Sequence, residues 1–160
     1  MPRCRILAFL GLLLYLPTFA QEAPRQVIAS RVTIAPASEP GDRLKLTATL
    51  YDRDGKPLPN HVLFAYHTDI DGIYAKPVND SRKPRLRAWV KTDAQGRFEL
   101  DTIKPGSYPE GGNPAHIHVV FMENGREAGA DECWFEGDRF LSENHKQREA
   151  AAGGFPALCV

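Results

Sequence analysis

The 160-residue chain has no net charge, because 20 Lys and Arg residues balance 20 Asp and Glu residues. It also lacks a run of basic residues in its middle, and non-specific nucleic-acid binding needs such a basic surface to contact phosphates. Nucleic acid is therefore not an expected partner. The chain is too short for two large domains, and its composition, 42% hydrophobic and 25% charged, is typical of one globular domain.

Long hydrophobic stretches are also scarce. The run Ile6–Leu16 has eleven residues, well short of the roughly 20 that a membrane-spanning helix needs. Two arginines precede this run and small residues follow it, as in a secretory signal that is cleaved after Ala20. We therefore expect residues 1–20 to be a signal peptide and not a stable membrane anchor. Residues 21–160 are then expected to form one secreted or periplasmic domain.

Cysteine is rare, with three residues in the chain. Cys4 lies in the expected signal peptide, so Cys133 and Cys159 remain in what should be an oxidising compartment, where a disulfide is stable. The alternative is a buried free thiol, because Cys133 stands in the apolar stretch Cys133-Trp134-Phe135 and nothing in the sequence fixes the separation of the two cysteines. The sequence favours the free thiol and leaves the bridge open.

The remaining sequence alternates with a period of two. Apolar residues alternate with polar ones in segments 44–50 and 86–90, the pattern of half-buried strands, and turn signals with glycine separate such segments. This pattern predicts an all-β fold, a two-sheet β-sandwich. We expect one short helix near the C-terminus, from Glu143 to Ala152. Segment Phe155–Val160 has the composition of a strand's beginning, which leaves open whether a final strand is missing.

Two histidines stand two residues apart in the apolar stretch 114–121. In a strand successive side chains alternate faces, so His116 and His118 should share one face while Ile117, Val119 and Phe121 enter the core. Two imidazoles side by side form half of a metal site. The alternative is a strand whose outer face simply carries histidines, and the pair alone does not decide between the two interpretations.

Two tyrosines follow tight turns. Tyr108 lies in the stretch Thr102–Pro109, where proline fixes the backbone and glycine permits the reversal. Tyr74 follows the turn that ends at Gly72. Taken alone, Tyr108 is more simply explained as a structural residue whose ring packs against a sheet edge, and Tyr74 alone indicates little.

Taken in order, these segments resemble the intradiol ring-cleavage dioxygenases, the family that includes protocatechuate and catechol dioxygenases. The resemblance is carried by Gly72-Ile73-Tyr74, by Thr102–Pro109, by Pro114-Ala115-His116-Ile117-His118 and by Trp134–Asp138. It implies a β-sandwich fold like that of this family. It also implies that an Fe(III) ion has four protein ligands, namely Tyr74, Tyr108, His116 and His118.

The donor types agree with this implication. Phenolate oxygens are hard anionic donors that suit an ion of high charge, whereas Zn(II) has no need of them. In the resting site that the resemblance implies, three positive charges meet two tyrosinates and a hydroxide, which leaves a neutral site. A catechol dianion that displaces the hydroxide and Tyr108 keeps the site neutral, while Tyr74 stays bound. The implied reaction inserts O2 between the two hydroxylated carbons of a catechol-type substrate.

Two positions depart from the family's pattern. Asn113 stands where the family usually has an arginine, and Glu132 stands where glutamine is common, so a positive charge is missing and a negative one is gained. If Asn113 faces the substrate, a cation is missing where negative charge develops, so activity on simple catechols is expected to be poor.

Several alternatives remain open at this stage. The chain is expected to be an iron dioxygenase, but a metal-free prealbumin-like binding or spacer module, or an iron-binding relative without turnover, would fit parts of the same pattern. The ring substituents of the substrate and the oligomeric state are left open. His61, His67 and His145 are interpreted as surface or packing residues, and Asp69 and Asp71 as turn formers.

Overall fold

The structure is a computed structural model that describes residues 28–52, 54–145, 147 and 157–159, the last three by their backbone alone. These residues form eight strands: β1 Arg31–Thr33, β2 Arg43–Thr49, β3 Val62–His67, β4 Leu86–Lys91, β5 Arg97–Ile103, β6 His116–Glu123, β7 Arg126–Phe135 and β8 Ala157–Cys159. They build a three-stranded sheet, β1-β5-β2, and a five-stranded sheet, β4-β3-β6-β7-β8. The predicted two-sheet β-sandwich is confirmed.

The main core lies between the two sheets. Leu100 of the smaller sheet and Leu63 and Ile117 of the larger one are fully buried in a single apolar cluster. The predicted strands at 44–50 and 86–90 correspond to β2 and β4, whose alternate apolar side chains pack against this cluster. The period of two in the sequence therefore marks the faces of the strands correctly.

Strand β6 presents different chemistry on its two faces. Ile117 and Val119 enter the main core, as predicted, whereas His116 and His118 lie on the opposite face of the five-stranded sheet. Further along that outer face is a second, smaller apolar cluster, formed by Phe64, Val120 and Met122. The histidine pair is thus held by a strand whose other face is anchored in the core.

The ends of the chain are described in part. Residues 143–145 and 147 are helical, so the predicted helix begins at the expected place, and its remainder lies outside the described residues. Strand β8 confirms a strand within segment 155–160. The predicted signal peptide, residues 1–20, lies outside the described residues and stays a prediction. Within the described part of the chain, no helix is both long and apolar enough to cross a membrane.

The prediction that Cys133 is a free thiol is wrong, because Cys133 is disulfide-bonded. Strand β8 pairs in parallel with β7, with Ala157 opposite Cys133, and this pairing brings the C-terminal strand beside the cysteine. Such long-range pairing leaves no trace in sequence spacing. The partner in the bond lies outside the described side chains. Disulfides persist in oxidising compartments, which is compatible with the expected export of the chain.

Candidate metal centre

Four polar side chains converge at the start of β6, on the outer face of the five-stranded sheet. The Nε2 atoms of His116 and His118 lie 2.9 Å apart. The Tyr74 hydroxyl lies 2.8 Å from His118 Nε2, and the Tyr108 hydroxyl lies 3.3 Å from His116 Nε2. The two tyrosine hydroxyls are hydrogen-bonded to each other. The structure therefore brings together all four residues that the sequence suggested as metal ligands.

Tyr74 is placed by a tight turn that follows β3. The carboxylate of Asp69 accepts hydrogen bonds from the backbone N–H groups of Asp71 and Ile73, each at 3.0 Å, so Asp69 is a turn former as predicted. The backbone N–H of Tyr74 in turn donates to Asn79 Oδ1 at 2.8 Å. These bonds fix the direction in which the tyrosine leaves the turn.

The turns that carry Tyr74 and Tyr108 are in direct backbone contact. The Gly106 N–H donates to the Asp69 carbonyl at 2.9 Å, and the Thr68 hydroxyl donates to the Gly106 carbonyl at 2.9 Å. A Cβ atom on Gly106 would lie 2.2 Å from the carbonyl oxygen of Ile70. The absence of a side chain at Gly106 thus permits the two tyrosine turns to approach each other.

Asp138 connects the Tyr108 turn to the histidine strand. Its Oδ2 atom accepts hydrogen bonds from the Ser107 hydroxyl and from the Ala115 N–H, each at 3.1 Å. Ser107 precedes Tyr108, and Ala115 precedes His116. One carboxylate therefore connects the backbone next to Tyr108 with the backbone next to His116. The sequence marked Asp138 as part of a family motif but gave no indication of this role.

His67 is a buried link beneath the same two turns. Its Nδ1 lies 2.7 Å from the Thr68 carbonyl, and its Nε2 lies 2.6 Å from the Thr102 hydroxyl. A carbonyl only accepts hydrogen bonds, so Nδ1 carries the proton and Nε2 accepts one from Thr102. The interpretation of His67 as a packing residue is confirmed, and burial lowers its pKa from 6.5 to about 4.

We expect acid to destabilise the fold through His67. Above pH 6.5 the imidazole is neutral in both the folded and unfolded chain, so its contribution is fully present. Below pH 6.5 the His67 imidazole binds a proton in the unfolded chain, whereas in the folded chain it does so only near pH 4. The free energy of unfolding therefore falls by at most about 1.4 kcal/mol per pH unit. Urea denaturation at pH 7 and pH 5 should show a smaller fall for His67→Asn, which keeps a donor near the Nδ1 position. Parallel pH curves for the two proteins would contradict this assignment.

Burial also controls the charge of the converging residues. It raises the pKa of Tyr74 and of Tyr108 above the ordinary value of 10.0. Burial, assisted by His116, lowers the pKa of His118 from 6.5 to about 4. The imidazole of His118 is therefore a neutral electron-pair donor at neutral pH, and the phenols ionise only where a nearby cation offsets their burial.

Glu132 lies beside the histidine pair, whereas Asn113 makes no hydrogen bond to it. Glu132 is directly opposite His118 in the β6–β7 ladder, and its Oε1 atom lies 3.3 Å from His118 Nδ1 and 3.8 Å from His116 Nε2. Asn113 is exposed in the loop before β6. No hydrogen bond of the described residues joins it to the four converging side chains. The structure thus brings the glutamate to the site and shows no hydrogen bond between the exposed asparagine and the four side chains.

Tyr66 is a further aromatic neighbour that the sequence analysis did not include. Its ring stacks on His118, with centroids 4.5 Å apart and an interplanar angle of 17°. Tyr66 is opposite His118 in the β3–β6 ladder, and this pairing was not visible in the sequence. The alternation Val62, Phe64, Tyr66 would have placed it on the outer face once β3 was known to adjoin β6.

The donor set fits a single metal ion. Three of the four separations between neighbouring donor atoms are 2.8 to 3.3 Å, which are the edges expected of a coordination shell with bonds of about 2 Å. The two phenol oxygens, which are hydrogen-bonded to each other, lie closer together. Within the described residues, His116, His118 and Glu132 also form a group whose potential ligand atoms lie within 4.8 Å of one another. Mixed nitrogen and hard anionic oxygen donors suit an ion of high charge.

Comparisons of the sequence with known proteins point in one direction. A family model described as "Dioxygenase" matches residues 15–151. Catechol 1,2-dioxygenase of Acinetobacter baylyi is 31% identical over 147 residues, which cover 80% of this chain and 47% of that protein. The protocatechuate 3,4-dioxygenase beta chain of Burkholderia cepacia is 30% identical over 113 residues, which cover 64% of this chain and 48% of that protein. The chain spans about half the length of the curated relatives it matches.

Solved structures of similar shape carry related descriptions. The dioxygenase domain of a dioxygenase carbohydrate-binding protein fusion from Streptomyces sp. SirexAA-E is 27% identical, with a TM-score of 0.56, over 75% of this chain and 77% of that one. Catechol 1,2-dioxygenase from Pseudomonas arvilla C-1 is 27% identical, with a TM-score of 0.58, over 78% of this chain and 45% of that one. Both similarities cover about three quarters of this chain.

Proposed function

Because the chain belongs to the intradiol ring-cleavage dioxygenase family, we propose that it uses O2 and Fe(III) to cleave a catechol-type ring between its two hydroxylated carbons. The enzymes of this family are non-haem iron enzymes. The observation that carries the proposal is the convergence of Tyr74, Tyr108, His116 and His118, because a binding or spacer module has no reason to gather two phenols and two imidazoles at one point.

Those four residues would hold the iron. When bound, Fe(III) would supply a Lewis acid that holds the deprotonated catechol and makes its ring reactive toward O2. The histidines contribute neutral nitrogen donors that keep their place on β6. The tyrosines contribute the negative charge, because a cation lowers the cost of ionising buried phenols.

Tyr108 is the better suited of the two tyrosines to accept a substrate proton. A catechol that binds as a dianion must lose two protons, and each needs an acceptor within reach. Tyr74 is only 5% exposed, whereas Tyr108 is partly exposed and lies in a turn that continues into the exposed segment 110–113. The Tyr108 hydroxyl is therefore the group we assign to take one proton and move aside, while Tyr74 stays in place.

The proposal is tested first by the colour of the iron-loaded protein and then by its ring-cleavage activity. The purified protein loaded with Fe(III) should show a broad visible band from phenolate-to-iron charge transfer. Catechol in air should then consume one O2 per substrate and yield a muconate-type diacid. The same protein loaded with Zn(II) is the control, and it should be colourless and consume no O2.

Two outcomes would contradict parts of this proposal. A folded protein that stays colourless with iron would contradict the proposed iron site and favour the metal-free binding or spacer module. A coloured protein that consumes no O2 with any catechol would support the iron site but contradict turnover. This outcome is worth measuring because Asn113 stands where the family usually has an arginine.

A further inference from the structure

We propose that Glu132 is a positioning residue that holds His118 toward the metal and adds negative charge to its imidazole. This inference rests on the metal site of the proposed function and goes beyond it, because it assigns a role to a residue outside the four ligands. Metal-binding histidines usually place their second ring nitrogen against a carbonyl, a carboxylate or water, which fixes the ring and tunes its donor strength.

His116 has a neutral partner of this kind. Its Nδ1 lies 2.7 Å from the Pro114 carbonyl oxygen. Since a carbonyl only accepts hydrogen bonds, Nδ1 carries the proton and Nε2 presents its lone pair to the point where the two phenols converge. The backbone alone therefore orients the first histidine.

His118 has a charged partner instead. Its Nε2 faces the Tyr74 hydroxyl at 2.8 Å, and its Nδ1 faces Glu132 Oε1 at 3.3 Å. The ring is confined on its flat side by Tyr66, whose centroid lies 4.5 Å away. The carboxylate is therefore placed to select the form of His118 whose Nε2 is free to bind a cation.

Glu132 is itself fixed. Trp134 Nε1 donates a hydrogen bond to its other oxygen, Oε2, at 3.0 Å. Trp134 is opposite His116 in the ladder in which Glu132 is opposite His118. The β6–β7 pairing thus brings the two histidines, the carboxylate and the indole onto one face in matching positions.

The charge of Glu132 is directed at the site. Among the described residues, no Lys or Arg nitrogen lies within 4.0 Å of its carboxylate, and its only ion-pair contacts are His116 and His118. A carboxylate that contacts the back of a ligand imidazole makes the imidazole a stronger donor, which favours the more highly charged oxidation state of the metal. Glu132 should therefore stabilise Fe(III) relative to Fe(II).

Two substitutions separate orientation from charge. Glu132→Gln keeps the shape and an oxygen beside Nδ1 but removes the charge, whereas Glu132→Ala removes both. Glu110→Gln is the matched control, because Glu110 is an exposed carboxylate close to Tyr108 that contacts neither histidine. The measurements are the affinity for iron and the Fe(III)/Fe(II) midpoint potential, with circular dichroism to verify folding.

We expect Glu132→Ala to lower the metal affinity about 10- to 100-fold. Glu132→Gln should keep most of the affinity and raise the midpoint potential, and Glu110→Gln should change both quantities much less, because Glu110 acts on the site only across space through Tyr108. The inference is overturned if the potential of Glu132→Gln equals that of the wild type, or if Glu110→Gln shifts it equally. Neither measurement needs turnover. If the protein binds iron and shows the expected effects of Glu132 but consumes no O2, only the proposed reaction is contradicted. A wild-type protein that binds no iron would remove both.

Discussion

Iron binding and visible colour will be lost when His116 and His118 are both replaced by alanine. The two imidazole nitrogens lie 2.9 Å apart and supply two of the four converging donors. Metal affinities of about 10–16 kcal/mol for four-ligand sites correspond to about 3 kcal/mol per ligand, so losing two ligands should weaken binding on the order of 10⁴-fold. Iron content after dialysis and the visible spectrum measure this directly.

Two matched controls restrict the interpretation of that result. His61→Ala removes an imidazole that precedes β3, at the end of that strand remote from Tyr66. Tyr66→Phe removes the hydroxyl of a ring that stacks on His118 without hydrogen-bonding to the converging donors. Both variants should bind iron and keep the colour of the wild type. If the double histidine variant retained iron as well as these controls do, the metal would have to bind elsewhere.

Replacing Gly106 by alanine will destabilise the protein by about 3 kcal/mol or more, at the upper end of what overpacking costs. The new Cβ would lie 2.2 Å from the Ile70 carbonyl oxygen and 2.8 Å from the Gly72 nitrogen. Both are backbone atoms of the turn that carries Tyr74, so no side-chain rotation relieves the clash. The two tyrosine turns must separate, and the Tyr74–Tyr108 hydrogen bond should be lost with them.

Gly129→Ala is the control for this substitution. A Cβ on Gly129 meets only the Phe121 ring, at 3.6 Å, which is an ordinary van der Waals contact. Neither glycine has a backbone conformation that excludes alanine, so the two variants differ mainly in the space available. Chemical denaturation should show a large loss for Gly106→Ala and a small change for Gly129→Ala. Equal losses would mean that the contact between the two turns is not what the glycine protects.

The sequence predicted those parts of the protein that depend on local patterns. Alternation identified the faces of β2, β4 and β6, and the spacing of His116 and His118 placed both on one face. What it missed depends on pairing between distant segments: Tyr66 reaches His118 from β3, the contact of Glu132 with His118 comes from β7, and Asp138 joins the Tyr108 turn to β6. The disulfide of Cys133 was missed for the same reason.

The position of the histidine pair on β6 has a consequence for how this protein can diverge. Even-numbered residues from 116 onward line the site or its apolar neighbour, and Ile117 and Val119 line the interior between the sheets. A substitution at Glu132, a partly exposed residue on the outer face of β7, changes the surroundings of the metal ligands without altering the volume of the interior. New chemistry can therefore be acquired at the site at little cost to folding. Inserting one residue before His116, in contrast, would exchange the side chains on the two faces of β6 and disrupt both the metal site and the core.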